Sequence, residues 1–401
     1  MARGETFTAQ VESIAAGGAG IARLNGKSIF IDFTAPGDHI SGRIIKEKKA
    51  WAQAELVEIL APSPLRKKSE CIFYGRCGGC SLQHLDYKAQ IQAKTEILRS
   101  AFCRIGGINP PKIKVTESAP YEYRNRVRFH VSAAAGGKDG SSLGFYERKS
   151  ANLVALNDCP VADPKIRKAL KEGSFLPLLN KKTFTVYSNG NTFLYQGGQE
   201  KGRVSVLGKE LLMDVNLFFQ SNAAMLELLV KDLLSIAGEA DKNLSMADIY
   251  CGVGTFASFL SDPAEGNTRF SEIDLVEENK ATLAMARENM QMNNQSINVN
   301  YHCLRDTEWV KTIADDTSNK KSFSFMVLDP PREGLSEPLR EWLALKGPPL
   351  AAYVSCDPAT LARDSRHLIE GGYKLEALNF YDFYPQTAHI ESLALFCRSK
   401  K

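Results

Sequence analysis

Cysteine occurs in two chemically different settings along this 401-residue sequence. The stretch CIFYGRCGGCSLQHL carries Cys71, Cys77 and Cys80 with the spacing C-x5-C-x2-C. Thiols grouped that tightly serve as disulfide partners in oxidising compartments and as metal ligands in reducing ones. Cys356 stands alone in YVSCDPATLARD, where an apolar strand-like run opens into Asp357-Pro358. A thiolate at the carboxyl end of a strand is placed to act as a nucleophile. The apolar run before it ends in LDPPREGL, so Asp329 marks a second strand end, and FYPQTAHIESLALF brings His389 and Glu391 just ahead of an alternating strand. Taken singly, several of these residues have plainer roles. Cys103, Cys303 and Cys397 read as small hydrophobes, and Glu391 alone reads as solvated surface.

A third constellation is MADIYCGVGTFASFL, in which a strand passes through Gly252-x-Gly254 into a helix. Glycine at such a turn lets a ligand approach the backbone closely. Ala257 stands where the dinucleotide fingerprint has its third glycine, and Glu277 ends the next strand, 25 residues after Gly252. A carboxylate there accepts hydrogen bonds from ribose hydroxyls. With the later Asp-Pro-Pro, the context favours S-adenosylmethionine (SAM) over NAD.

The elements that must carry these groups fall into three segments. Residues 1–62 read as short strands with Gly and Pro turns, and Asn25-Gly26 between two alternating runs marks a hairpin; the pattern predicts a small β-barrel of the OB type. APSPLRKK then reads as a linker. Residues 63–215 predict a helix over 86–105, set to pack on the catalytic domain, followed by an antiparallel β-rich region from about 121. Residues 216–401 alternate strands and helices, the signature of a doubly wound, mostly parallel α/β sheet with ligands at the carboxyl ends of its strands.

Charge divides along the same lines. The net +4 is the sum of zero over residues 1–62 (7 basic minus 7 acidic), +12 over 63–215 (25 minus 13) and −8 over 216–401 (18 minus 26). The middle segment therefore suits a polyanion, with YRNRVR supplying Arg124, Arg126 and Arg128. The N-terminus lacks the apolar core of a signal peptide, and no run of about 18 apolar residues occurs. These features predict a soluble, cytoplasmic protein without membrane association, acting as a monomer.

FFQSNAAM, DIYCGVGTF, LDPPREGL, YVSCDPATLARD and FYPQTAHIESLALF occur in this order, and at these spacings the chain resembles the RNA uracil-5-methyltransferase family. The N-terminal strands resemble the TRAM domain of many members, so the likeness spans essentially the whole chain. It implies a Rossmann-like SAM methyltransferase domain, a TRAM barrel and a central β-rich iron–sulfur domain. It also implies methylation of uridine C5 in 23S ribosomal RNA, or, in relatives, the T-loop of transfer RNA. The nucleophile falls at Cys356 and the C5-proton base at Glu391. Gln220, Tyr250 and Glu277 fall on SAM-binding positions beside Gly252 and Gly254, and Asp329 lies between cofactor and base. Phe218 falls where an aromatic stacks on the target base, with Arg124 and Arg126 toward RNA. Thr255 departs from the Asn of some relatives. Cys159, in LNDCPVADP, falls at the family's fourth cysteine and completes a set with Cys71, Cys77 and Cys80. By ligand type alone the four suit zinc or iron–sulfur; the resemblance implies [4Fe–4S].

Three other chemistries leave different marks. Amino-methyltransferases follow Asp-Pro-Pro with an aromatic residue, whereas Arg332 follows here. Radical-SAM enzymes use a C-x3-C-x2-C loop, which this chain lacks. A non-catalytic RNA-binding protein with a degenerate methyltransferase fold would not need Gln220, Asp329, Cys356 and Glu391 together.

Overall fold

The computed structural model describes residues 3–132, 142–175, 182–240, 245–261, 270, 272–293, 297–315 and 322–398. The chain clusters into two compact units. The first comprises Met1–Ile97, Ala119–Phe184 and Tyr384–His389; the second comprises Leu98–Ser118, Thr185–Phe383 and Ile390–Lys401. The segmentation expected from sequence is thus cut differently. Residues 63–215 do not form a compact unit of their own, and the short insert 384–389 leaves the C-terminal segment to join the first unit.

The first unit opens with a closed barrel of β1 (Thr6–Ile14), β2 (Gly20–Leu24), β3 (Lys27–Ile31), β4 (His39–Glu47) and β5 (Trp51–Ala61), in the order β1-β2-β3-β5-β4. Asn25 and Gly26 both take positive φ (50° and 78°), the primed turn whose twist matches the flanking strands. Alternation sends Val11, Ala22, Ile29, Ile40, Ile44 and Ala52 into the barrel core. The predicted linker is latched to it. Buried Asp38 accepts from Arg66 and from the amides of Ala35 and Ser63. Burial alone would raise its pKa, but these partners hold it below the ordinary value. Helix α1 (Tyr87–Ala101) begins in this unit and runs into the second, where a π-helical turn at Phe102–Gly106 ends on left-handed Gly107. The first unit also holds the antiparallel strands β7 (Arg126–Ser132), β8 (Ser142–Tyr146) and β9 (Leu153–Ala155), and helix α2 (Pro164–Lys171), capped by Asp163.

The second unit is built on an eight-stranded sheet. Its strands are β6 (Lys114–Thr116), β14 (Ser245–Ile249), β15 (Glu272–Val276), β16 (Asn298–His302), β17 (Phe323–Leu328), β18 (Leu350–Ser355), β19 (Lys374–Tyr381) and β20 (Glu391–Cys397). Their order is β16-β15-β14-β17-β18-β20-β19-β6. Strands β14, β15, β16, β17 and β18 are mutually parallel, while β20 runs antiparallel to both β18 and β19. Every residue of β14 and β17 is buried, as expected of central strands covered on both faces. Around the sheet lie α3 (Ala223–Ala237), α4 (Thr255–Leu260), α5 (Lys280–Asn293), α6 (Asp306–Asp315), α7 (Glu337–Lys346) and α8 (Pro358–Glu370). Hairpins β10 (Thr183–Asn189)–β11 (Thr192–Tyr195) and β12 (Lys201–Val206)–β13 (Lys209–Asp214) precede α3. The doubly wound sheet expected from residue 216 onward is present; beyond that expectation, β6 joins its edge from far upstream.

Candidate active site

The sheet order reverses between β14 and β17, which opens a crevice at their carboxyl ends. The loop after β14 enters it with three left-handed residues, Tyr250 (φ 64°), Gly252 (φ 56°) and Gly254 (φ 76°). A side chain at Gly254 would press on Ala286 at 3.1 Å, whereas one at Gly252 would enter open space. Gly252 thus leaves backbone bare toward whatever lies above the loop, as a close-fitting ligand requires. Glu277, at the end of β15, accepts the amide of Asn279 at 2.8 Å and is also reached by that of Gly252. Burial raises its pKa. Beneath the loop, fully buried Asp248 accepts the amide of Ala257 at 3.2 Å. Burial, then the nearby Asp329 carboxyl, pushes its pKa up to about 8. The Tyr250 hydroxyl donates to Asp306 at 2.6 Å, so this phenol is already anchored within the protein.

Strand pairing brings Cys356 and Glu391 near one another. Strands β18 and β20 pair antiparallel from Leu350↔Cys397 to Ser355↔Ser392. The Ser392 hydroxyl donates to the Ser355 carbonyl at 3.3 Å. Cys356 directly follows the last paired residue of β18 and Glu391 directly precedes its partner Ser392, so the pairing brings the two side chains near one another, and the Glu391 carboxyl acts on the Cys356 thiol. Asp357 caps α8 through the amides of Ala359 and Thr360, fixing the sharp exit at Cys356. Asp329 joins from the end of β17, with its amide on the Ile249 carbonyl.

These groups perturb one another strongly. Burial, then the Glu391 and Asp329 carboxyls, pushes the Cys356 thiol up to about 12, while the Arg332 guanidinium opposes the rise. Glu391 is 5% exposed, and burial with Asp329 nearby holds its pKa far above the ordinary value. Burial pushes Asp329 up to about 7. Burial and mutual repulsion thus disfavour negative charge on all three groups at once. A thiol and a carboxyl close together, next to a glycine loop, can perform covalent addition and proton transfer.

Phe218 and Gln220 lie between β13 and α3. Phe219 is buried against Tyr187, while Phe218 is 59% exposed and Gln220 is half-buried. Asn222 caps α3 and also donates to the Phe383 carbonyl, anchoring this segment. In the first unit, Arg128 alone of the YRNRVR arginines is exposed. Arg126 is half-buried, and burial with Arg128 and Arg124 nearby lowers its pKa. Arg124 turns toward the thiols, where its charge opposes the rise in pKa of Cys77, Cys80 and Cys159.

Cys71, Cys77, Cys80 and Cys159 are all free, and all lie in the first unit. Burial raises each thiol, Cys80 to about 12 and Cys159 to about 11; Cys71 adds to the rise of Cys77, Cys159 and Cys77 to that of Cys80, and Cys77 and Cys71 to that of Cys159. Fold thus brings Cys159 to the C-x5-C-x2-C loop. The expected ligand cage is nevertheless not drawn up: among the described residues, no group of three or more His, Cys, Asp or Glu side chains is gathered closely enough to hold a metal ion. The loop is firmly seated. Gly78 donates to the Tyr146 carbonyl, Gln83 accepts from the Cys71 amide, and the Tyr74 hydroxyl meets His84 Nδ1 at 2.6 Å. His84 Nε2 lies 3.0 Å from the Thr34 carbonyl of the barrel, and burial lowers its pKa to about 4, which keeps it neutral.

Sequence reasoning overlooked Asp248, Asp306 and Asp364. The first sits in the glycine-loop motif and the last in YVSCDPATLARD, so both were in view. What makes them notable, burial without a neighbouring lysine or arginine for Asp248 and a convergence of four donors for Asp364, exists only in three dimensions.

Comparison with known proteins assigns the family and the fold. The family model for tRNA (uracil-5-)-methyltransferase covers residues 199–399, and that for the TRAM domain of tRNA (uracil(54)-C(5))-methyltransferase covers residues 7–65. An RNA methyltransferase of Treponema denticola is 33% identical over 93% of this chain and 94% of its own. The 23S rRNA (uracil(1939)-C(5))-methyltransferase RlmD of Alkalilimnicola ehrlichii is 30% identical over 98% and 97%. Among solved structures, the Pyrococcus abyssi tRNA (uracil-54, C5)-methyltransferase bound to S-adenosyl-L-homocysteine superposes with a TM-score of 0.72 at 23% identity, covering 97% of this chain and 100% of that one. It shares the fold, a SAM-methyltransferase sheet with a small N-terminal barrel. No helix among the described residues is long and apolar enough to cross a membrane.

Proposed function

The chain belongs to the tRNA (uracil-5-)-methyltransferase family, and from that premise we propose that it methylates C5 of a specific uridine in 23S ribosomal RNA. The observation that carries the reading is the approach of the Glu391 and Asp329 carboxyls to the Cys356 thiol, just beyond the Ser355↔Ser392 pair of β18 and β20. Uracil C5 is too weak a carbon nucleophile to be methylated directly. Addition of the Cys356 sulfur to C6 makes an enolate with electron density at C5. SAM supplies the electrophilic methyl group. Glu391 then takes the C5 proton, and elimination of the Cys356 thiolate restores the ring. The raised pKa of Cys356 makes its sulfur strongly nucleophilic once its proton has passed to an ionised carboxylate such as Asp329 or to solvent, and the raised pKa of Glu391 makes its carboxylate, once ionised, a stronger acceptor for the C5 proton.

The glycine loop suits SAM. Gly252 and Gly254 would lie along the cofactor, Glu277 would take its ribose hydroxyls, and Gln220 and the Tyr250 segment would flank it. A uridine must leave its stack to reach this site. Exposed Phe218 suits stacking on the flipped base, and the basic 63–215 segment, led by exposed Arg128, suits the RNA backbone. Arg124 and Arg126 were expected in that role; Arg126 is better read as shaping the basic field, and Arg124 as a neighbour of the thiols. The four thiols suit a [4Fe–4S] cluster by donor type, with Arg124 to offset its negative charge. The cluster would staple the loop, since the methylation chemistry moves no electrons. Iron and sulfide analysis of anaerobically purified protein tests this; one zinc and no sulfide would overturn it. We place the enzyme in the cytoplasm, as a monomer.

RNA carrying 5-fluorouridine tests the main reading. With SAM it should trap a covalent protein–RNA adduct, because C5 then has no proton to release. An adduct that survives Cys356→Ala would overturn the assignment. Mapping of 5-methyluridine in a deletion strain decides between ribosomal RNA and the T-loop of transfer RNA, the substrate class in the name of the Pyrococcus abyssi protein.

A further inference from the structure

Two carboxylates of the second unit meet the turn after Asp-Pro-Pro on adjacent amides. Asp306 Oδ2 accepts the Ser336 amide at 3.3 Å, and Asp364 Oδ2 accepts the Leu335 amide at 2.9 Å. Each of these oxygens has a second donor. On Asp306 Oδ2 it is the Tyr250 hydroxyl from the glycine loop, at 2.6 Å. On Asp364 Oδ2 it is the hydroxyl of fully buried Tyr353, at 2.8 Å, from the strand that ends at the nucleophile. Asp364 itself belongs to α8, which starts directly after Cys356.

The chain of contacts therefore runs from the glycine loop to the strand and helix that flank Cys356, through two shared oxygens and the Leu335–Ser336 backbone. It has little slack. Asp364 is fully buried, and its Oδ1 is held by Arg340 at 3.0 Å and Arg363 Nε at 2.9 Å. Arg363 Nη2 also grips the Glu333 carbonyl in the same turn. Gly334 (φ 78°) closes that turn, and a Cβ there would sit 2.5 Å from Asp364 Oδ2. Where one carboxylate oxygen takes two donors, a movement of either that the carboxylate follows also shifts the geometry of the other bond.

We infer that Asp306 and Asp364 are positioning residues that couple the glycine loop to the nucleophile, so that occupancy of the loop changes the reactivity of Cys356. This rests on the reading that the loop binds SAM and that Cys356 attacks the base. The same turn begins at Asp329-Pro330-Pro331, so a shift of Leu335 and Ser336 also moves the carboxyl and the Arg332 charge that face the thiol.

The test measures alkylation of Cys356 by iodoacetamide in the full chain, followed by mass spectrometry of its peptide, with and without saturating S-adenosyl-L-homocysteine. Wild type is expected to change rate by about fivefold or more on binding. Asp364→Asn and Asp306→Asn should bring that ratio close to one while still binding S-adenosyl-L-homocysteine. A purely structural role would lower activity and melting temperature and leave the ratio at its wild-type value, which overturns the inference. A wild-type ratio of one overturns it as well. If Asp364→Asn does not fold, Tyr353→Phe decides by the same criterion, since it removes one donor and keeps the ring. Adduct formation with 5-fluorouridine RNA separates the two readings. No adduct in wild type means that the proposed function fails; an adduct with unchanged ratios in the variants means that only the coupling fails.

Discussion

The loop bearing Cys71, Cys77 and Cys80 and the rim bearing Cys356 use the same side chain in opposite company. In both, burial raises the thiol pKa. Around the loop the neighbours are other thiols and the Arg124 cation, a setting that favours several thiolates held at once by a positive centre. Around Cys356 they are Glu391 and Asp329, which oppose a standing thiolate and can exchange protons with a substrate. Neighbours, rather than the cysteine, separate the proposed staple from the proposed nucleophile.

The sharpest way to break that contrast is substitution on both sides. Cys356→Ala should cut methylation by about 10⁴-fold or more and abolish the 5-fluorouridine adduct, with little change in melting temperature. Cys77→Ala should lower metal content and melting temperature while folded molecules still form the adduct. If folded Cys77→Ala forms none, the loop is not merely a staple. Glu391→Gln comes next, with turnover down by about 10²–10⁴-fold. A Cys356–RNA adduct should then accumulate on ordinary uridine; free turnover would exclude Glu391 as the base.

Phe218→Ala should weaken RNA binding by about 1–3 kcal/mol, the value of one lost stacking platform. Because Phe218 is exposed, stability should hold, whereas buried Phe219→Ala should cost about 3–5 kcal/mol of stability. Titration in RNA-binding assays and chemical denaturation distinguish the two.

The smallest effect is in pH dependence, and it differs in sign between the regions. Asp38 and Asp158 of the first unit have lowered pKa values, so their stabilisation is present above the ordinary carboxylate range and is lost as pH falls through the lowered values. Asp248, raised from 3.8 to about 8, does the reverse. Between those values the unfolded chain has released a proton that the folded chain keeps, so stability falls as pH rises. Asp248→Asn should remove up to about 1.4 kcal/mol per pH unit of that decline, measured by denaturation between pH 5 and 8. An unchanged slope would mean that Asp248 is ionised when folded.

Much of the fold was legible because it depends on local chemistry. Asn25-Gly26 demands positive φ and so declares its hairpin, and alternation in the first 62 residues declares the barrel. The apolar runs ending at Ile249, Val276, Leu328 and Ser355 declare buried parallel strands, with chemistry at their ends. Helix α2 was not anticipated, since its eight residues are too few for a periodic pattern to stand out. The division into two units was equally hidden, because it depends on residues 98–118 and 384–389 leaving their neighbours in sequence for distant partners.

By itself the sequence determined which residues could do chemistry: the thiol of Cys356, the carboxyls of Asp329, Glu277 and Glu391, the glycines at 252 and 254, and four further cysteines. Tertiary structure decided which of them meet. Ser355 and Ser392 are 37 residues apart, and only the antiparallel entry of β20 beside β18 sets them on one rung, which brings the Glu391 carboxyl near the Cys356 thiol. The same packing removes water from those groups and raises their pKa values. Burial and register are long-range properties, fixed by how strands pair and what covers them, so no local pattern of residues could have declared them.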